Sequence, residues 1–469
     1  MNASNIWLLA TGLLAVIVMV VLTASTKRTI AIGTLLALIP FQVVDSRYGT
    51  SSELMAYAMA GTIVFMGGLK VRMLPAIGLI LLAYFASLTQ AERYFSWHVI
   101  EIFEFTSCLV VFLLAYNFAR LVESERSVMD LLLGINFLVA FYCGLQLLAG
   151  AGEAFTPFGI DLLAFNSNRD PSDPRLVGPF DNPGTTAGYF TLMTILCATE
   201  LIFASAGRRR LLQGLIFVNL AGVIATGNRA SFLVMLAAFP VLLFASRREL
   251  GARRFIQYAL GGVAALVIAS ATIAVYSDFG HMYDRLDKVT ETEEGMPTTR
   301  AGIWPIVIAK IKRHPWFGDG PHYFREEDAA IMRVMRAEFE DLGDVVTIYD
   351  PYPHSLYLFL LRTVGVFGLA AVLWFFCRVG LELRRSLRSG GRTEYERAIL
   401  KVGIVVIGAF LVTQITLEFN RTSTMDYAQF IFALMGLLVG VADRNSGFDA
   451  DTVVASRLGS PSRRLLRGP

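Results

Sequence analysis

Residues 98–149 read HVIEIFEFTSCLVVFLLAYNFA, then RLVESERS, then VMDLLLGINFLVAFYCGLQLLA. Each of the two apolar runs, 98–119 and 128–149, is long enough at about 1.5 Å per residue to cross a hydrocarbon layer of about 30 Å. No water reaches the backbone in that layer, so each run must be a helix. The link between them carries Arg120 and Arg126, and short basic links stay on the cytoplasmic side of a membrane. This hairpin sets both the fold class and an orientation: an all-α polytopic membrane protein whose 119-to-128 link faces inward.

Reading outward, similar runs fall near 5–24, 29–44, 53–69, 73–90, 184–206, 211–226, 229–246, 255–276, 354–378, 397–417 and 426–442, giving about 12–13 transmembrane helices. Composition agrees: 55% of the 469 residues are hydrophobic and 17% charged, against roughly a quarter charged in an ordinary domain. That excludes a soluble globular enzyme. A net charge of +3 is too small to imply a nucleic-acid partner. The four cysteines, Cys108, Cys143, Cys197 and Cys377, all fall inside apolar runs and form no disulfide framework or metal-ligand spacing. No basic residue precedes the first run, so it reads as a retained span and not a cleaved signal peptide.

The basic residues alternate with the spans. Lys27 and Arg28, Lys70 and Arg72, Arg120 and Arg126, Arg208 to Arg210, Arg247 to Arg254, and Arg384 to Arg397 occupy every second connection, and an Arg-rich tail follows. The opposite short connections hold little beyond Arg47, Arg93 and Arg421. One phase fits throughout, with the N-terminus outside and the C-terminus in the cytoplasm. Six segments follow: N-terminal transmembrane helices over 1–150, an outer-face loop over 151–183, central transmembrane helices over 184–276, a large outer-face loop subdomain over 277–353, C-terminal transmembrane helices over 354–442, and a disordered cytoplasmic tail over 443–469. Within the large loop, Thr299 to Arg313 reads as a short amphipathic helix. It ends at HPWFGDG, where Pro315, Gly318 and Gly320 mark a turn. Tyr323 to Asp341 reads as a second helix.

Outer-face segments hold residues that a lipid-facing helix would not keep. In DPRLVGPFDNPGTTAGYF, Arg175 and Asn182 precede a helix start near Gly184, whose free backbone N–H groups suit an anion; a Pro/Gly loop capping a helix would read the same way. In ATGNRASF, Arg229 sits between two apolar runs, where a charge has either a purpose or a snorkelling route to the interface. In TTRAGIWPIVIAKIKRHPWFGDG, Arg300 opens a helix and Trp304 follows one turn later on the same face; a solvated surface arginine is the plainer reading. In HSLYLFLLRTVGVFGL, His354 stands where the loop enters a span, as a proton acceptor near neutral pH or as a helix cap. Tyr357 and Arg362 follow it, within reach of the same pocket or of the interface. The last outer turn, with Glu418, Arg421 and Asp426, reads as ordinary loop chemistry.

This inventory holds arginines and one histidine but no carboxylate pair at hydrolase spacing, HExxH, Walker loop or GxSxG. Without a metal cluster, phosphoryl charge falls to arginines, which grip oxyanions in bidentate fashion and stay charged. A diphosphate leaves without a general acid, whereas an attacking hydroxyl benefits from a base, for which His354 is the candidate. Group transfer from a lipid diphosphate fits better than hydrolysis or redox chemistry, and no cofactor is called for.

These segments, in this order, resemble the bacterial O-antigen ligases and O-antigen/exopolysaccharide polymerases. The resemblance runs from about Asp173 to Leu369, through RLVGPFDNPGTTAGYF, TGNRASFL, RAGIWPIVIAKIKRHPWFGDGP and HSLYLFLLRTVGVFGL. Thr185 departs from it, standing where the family usually has a second Asn. The resemblance implies a fold related to the C-type membrane glycosyltransferases, in the bacterial inner membrane, with the outer face being periplasmic. It implies an inverting, metal-independent transfer of a glycan from undecaprenyl diphosphate. Arg229 and Arg300, with Arg175, would hold the diphosphate, and His354 would orient or deprotonate the acceptor hydroxyl. Asn182, Trp304, Tyr357 and Arg362 would line the substrate site. A ligase would use a lipid A-core acceptor; a polymerase would join lipid-linked repeat units. A transporter of lipid-linked glycans is the rival from another class, but transporters usually show repeated halves with broken helices at mid-membrane. Here the candidates gather at one face beside a long loop.

Overall fold

The computed structural model describes residues 15–25, 27–41, 45–46, 49–66, 68–91, 95–149, 175–180, 182–245, 247, 292–293, 296–297, 300–322, 353–417 and 425–444. Every expected span except 255–276, which lies outside the described residues, holds helix. These are α1 (Ala15–Ala24), α2 (Arg28–Leu38), α3 (Ser51–Phe65), α4 (Leu74–Ser87), α5 (Phe95–Leu121), α6 (Glu125–Ala149), α7 (Pro183–Phe203), α8 (Ala206–Ala225) and α9 (Arg229–Ala245). From the large loop comes α10 (Arg300–Ile311); then follow α11 (Leu356–Thr363), α12 (Gly365–Arg388), α13 (Glu394–Thr413) and α14 (Met425–Arg444). Five of them, α5, α6, α7, α12 and α14, are long and apolar enough to cross a membrane by length and composition. Two short antiparallel ribbons pair Asp45–Ser46 with Gly49–Thr50, and Thr292–Glu293 with Met296–Pro297. The second loop helix expected over Tyr323 to Asp341 and the tail after Arg444 lie outside the described residues.

The centre of the bundle is α14, whose spanning window is wholly buried. It lies along α5 because Gly436 and Gly440, spaced i and i+4, put no side chain between the two backbones. A Cβ on Gly440 would come within 2.6 Å of Ala119 Cβ and 2.7 Å of the Tyr116 carbonyl oxygen, and one on Gly436 within 3.0 Å of Ala115 Cβ. Small residues on both helices are what lets membrane helices pack, since lipid tails are as apolar as leucine. Polar side chains add to the contact. Gln429 accepts from Ser52 Oγ of α3 at 2.9 Å and donates to Ser107 Oγ of α5 at 2.9 Å.

One end of the bundle gathers the basic residues that set the orientation. Arg72 pairs with Glu382 at 3.1 Å, Arg120 with Asp443 at 3.4 Å, Arg208 with Asp130 at 2.6 Å and Glu200 at 2.9 Å, and Arg444 with Glu125 at 3.7 Å. Arg392 is fully buried there and donates to the Val441 carbonyl at 3.2 Å and to that of Ala442, closing the C-terminal end of α14. Arg384, Arg385 and Arg388 lie in the last turns of α12, so that helix outlasts the expected span by about three turns.

The span expected over 354–378 is corrected in a second way: it is two helices. α11 ends at Thr363, and Gly365 begins α12 in the left-handed region at φ +67°. In an unbroken helix the Val366 and Phe367 N–H groups would bond the Arg362 and Thr363 carbonyls. Instead Val366 donates to Pro315 O at 2.9 Å and Phe367 to Trp316 O at 3.2 Å. The freed carbonyls of Arg362 and Thr363 accept from Asp319 N at 3.0 Å and Gly320 N at 3.1 Å. The HPWFGDG turn therefore satisfies these four backbone groups that the break exposes. In lipid an orphaned group would cost several kcal/mol.

Candidate functional site

At the end opposite the basic cluster, three helix starts meet around Leu417, which follows α13. Leu356, first residue of α11, donates its N–H to the carbonyls of Gln414 at 3.0 Å and Leu417 at 2.8 Å. The Leu417 side chain in turn packs on Gly184 in the first turn of α7, where a Cβ would collide with it. Gly184 also faces the Asn228 amide, which stands 3.3 Å from where its Cβ would be. Asn228 accepts from Ser231 N at 2.9 Å and so caps α9, which Arg229 opens. The starts of α7, α9 and α11 are thus neighbours, although 182, 228 and 354 lie far apart in sequence.

Each sequence candidate can now be placed. Asn182 is the N-cap of α7 and accepts from Gly184 N at 2.7 Å and Thr185 N at 3.3 Å. Two of the backbone donors that could meet an anion are therefore already engaged. Thr185 donates its hydroxyl to Asn182 O at 3.0 Å. Arg175 lies against the turn between α8 and α9: its Cδ stands 3.3 Å from where a Gly227 Cβ would be, and Leu176 N bonds Ala225 O at 2.9 Å. Gly227 takes φ +64° in that turn. Arg229 is exposed, with no hydrogen bond or ion pair among the described residues.

His354 is a non-glycine residue at φ +48°, immediately before the cap of α11, and is half-buried. Left-handed backbone at such a residue costs about 1–2 kcal/mol and persists only where the surroundings impose it. One such constraint is visible: the Trp304 indole of α10 donates to the carbonyl of Pro353 at 2.8 Å. The indole thus ties α10 to the residue before His354. The backbone of Arg300 begins α10, one turn ahead of Trp304; its side chain lies outside the described residues. Tyr357 spends its hydroxyl on the Leu411 carbonyl of α13 at 2.6 Å. Arg362 reaches the far end of α11 and pairs with Asp319 of the HPWFGDG turn.

Arg175, Asn182, Arg229, His354 and, through Trp304, α10 are therefore brought to one region, whereas Tyr357 and Arg362 are engaged by the scaffold. Asp426 sits buried in the first turn of α14, accepting from its neighbour's N–H at 2.8 Å, so it belongs to a helix and not to a loop. Glu418 and Arg421 lie outside the described residues. Asn228, Gln414 and Leu417 were missed by the sequence reading; only Asn228 carried a signal, as a capping residue directly before an apolar run. Among the described residues no group of three His, Cys, Asp or Glu could hold a metal ion.

Residues 214–373, about a third of the chain, match a family model described as O-antigen ligase. The match includes Arg229, Arg300, Trp304, His354, Tyr357 and Arg362, and begins after Arg175 and Asn182. No curated protein matches the chain.

Proposed function

We propose, from the match of residues 214–373 to a family model described as O-antigen ligase, an inverting, metal-independent glycosyltransferase that moves a glycan from undecaprenyl diphosphate to an acceptor hydroxyl at the periplasmic face. Ligation to a lipid A-core sugar is the preferred reaction; joining of lipid-linked repeat units by the same donor chemistry is the alternative. Arg229 and Arg300, with Arg175, hold the diphosphate and offset the charge that grows as the glycosyl bond breaks. His354 takes the proton of the acceptor hydroxyl as its oxygen attacks the anomeric carbon. The diphosphate leaves as an anion on the opposite face of the sugar.

The observation that carries this reading is the meeting of the α7, α9 and α11 starts around Leu417, with α10 fastened beside them. An exposed Arg229 suits a ligand that arrives from outside the protein. The segments 1–150, 184–276 and 354–442 serve as the membrane body in this reading, while 151–183 and 277–353 belong to the periplasmic side. The N-terminus is periplasmic and the C-terminus cytoplasmic, in the inner membrane.

Single alanine substitutions at Arg229, Arg300 and His354 test the assignment. Each should abolish glycan transfer to lipid A-core while leaving the amount of membrane protein unchanged; full transfer by all three variants would falsify it. Deleting the gene and running glycan gels separates the two reactions: unattached long chains accumulate for a ligase, and single-repeat lipopolysaccharide or lost exopolysaccharide marks a polymerase. Purified enzyme should keep its rate in EDTA.

A further inference from the structure

We propose that Asp319 and Arg362 form a positioning pair that fixes α10, and with it Arg300 and Trp304, against the α11 start where His354 sits. This rests on the glycosyl-transfer reading above. α10 is held alongside α11 at two places. Near its start, the Trp304 indole bonds Pro353 O at 2.8 Å. Past its end, the turn 315–320 exchanges four backbone hydrogen bonds with the break at 362–367.

The second fastening is built for closeness. Gly318 at φ +68° lies on the backbone of Thr363, and Gly365 at φ +67° lies on that of Trp316, with no room for a Cβ at either place. Phe317 stacks on Phe367, ring centroids 5.3 Å apart and nearly parallel at 7°. The ion pair crosses this junction. Asp319 donates its N–H to the Arg362 carbonyl while its carboxylate engages the Arg362 guanidinium, so one residue meets both ends of the other. The same turn reaches the end of α4, where His314 Nδ1 stands 3.1 Å from Gln90 Oε1, and His314 Nε2 lies 4.0 Å from Asp319 Oδ1. Arg362 is only 12% exposed. A guanidinium so placed holds the turn; to grip a diphosphate it would have to leave Asp319.

The pair is tested on purified protein in nanodiscs, with undecaprenyl-diphosphate glycan as donor. Asp319→Ala and Arg362→Ala should each lower kcat/KM by about 10- to 100-fold, the range that a misplaced catalytic group produces. They should shift kcat and KM by the same factors as each other. The double variant should be no worse than either single one, and both Arg362→Lys and the exchanged pair D319R/R362D should recover most of the loss. A second readout needs no turnover: spin labels on Lys312→Cys, just past α10, and on the native exposed Cys377 of α12. Their distance distribution should be narrow in the parent and broad in both single variants. Wild-type kcat/KM in Asp319→Ala beside an inactive Arg362→Ala would mean that Arg362 touches substrate, and would overturn the pair. A distribution equally narrow in all variants would overturn it too. Absence of transfer by the parent protein would instead defeat the enzyme reading, leaving the spin distances to judge the pair.

Discussion

Arg229 and Arg392 carry the same guanidinium in opposite settings. Arg392 has no exposed side-chain surface and closes α14 through two carbonyls, with Glu396 4.0 Å away. Removing it strands buried carbonyls, so Arg392→Ala should destabilise the protein by about 1–3 kcal/mol. Arg229→Ala, at an exposed position without a partner among the described residues, should stay within about 0.5 kcal/mol of the parent. Thermal unfolding in detergent measures both, and transfer activity should rank them the other way round, with Arg229→Ala inactive. Sequence reading distinguished these two residues only by address. Arg392 stood in a basic connection and served as an orientation mark, while Arg229 stood out because it interrupted apolar runs. What each side chain touches depends on Val441, Ala442 and Asn228, which local pattern does not connect to them.

Helices α10, α11 and α12 form one unit, although the first belongs to a loop by sequence and the other two to a single apolar run. Gly318→Ala and Gly365→Ala each place a Cβ against opposing backbone at positive φ. Each should cost at least about 1–2 kcal/mol from the backbone alone, with the collision added. The yield of folded protein after detergent extraction, or its melting temperature, checks this. A gentler change is Trp304→Phe, which keeps the ring but loses the bond to Pro353 O. A bond of about 0.5–1.5 kcal/mol predicts a fall in kcat/KM of about 2- to 12-fold, at nearly unchanged stability. The break at Val364 was not legible because the run 354–378 is apolar on the whole and hydropathy has no term for a missing turn. The partner that satisfies the exposed backbone lies about fifty residues upstream. The turn itself was legible from Pro315, Gly318 and Gly320; its purpose was not.

Across the whole molecule, hydropathy and the alternation of basic connections predict helices where the described residues hold them, five of them long and apolar enough to cross a membrane. They did not say which span is central. A leucine facing lipid and one facing protein look alike in sequence, so α14 was one of thirteen apolar runs until Gly436 and Gly440 were seen against Ala115 and Ala119. Gly440→Leu should push α5 and α14 apart and leave little extractable folded protein, whereas Gly408→Leu, at a glycine of α13 with open space around it, should be tolerated. Size-exclusion profiles of the two variants compare them directly.

The helix at the heart of the bundle is also the last of the described helices to leave the ribosome. The described helices made before it must wait with a vacant seat between them, and α5 cannot find its closest neighbour until residues 425–444 have been synthesised. Assembly is therefore a late step, and a message cut short before Met425 would yield a hollow chain that quality-control proteases should clear.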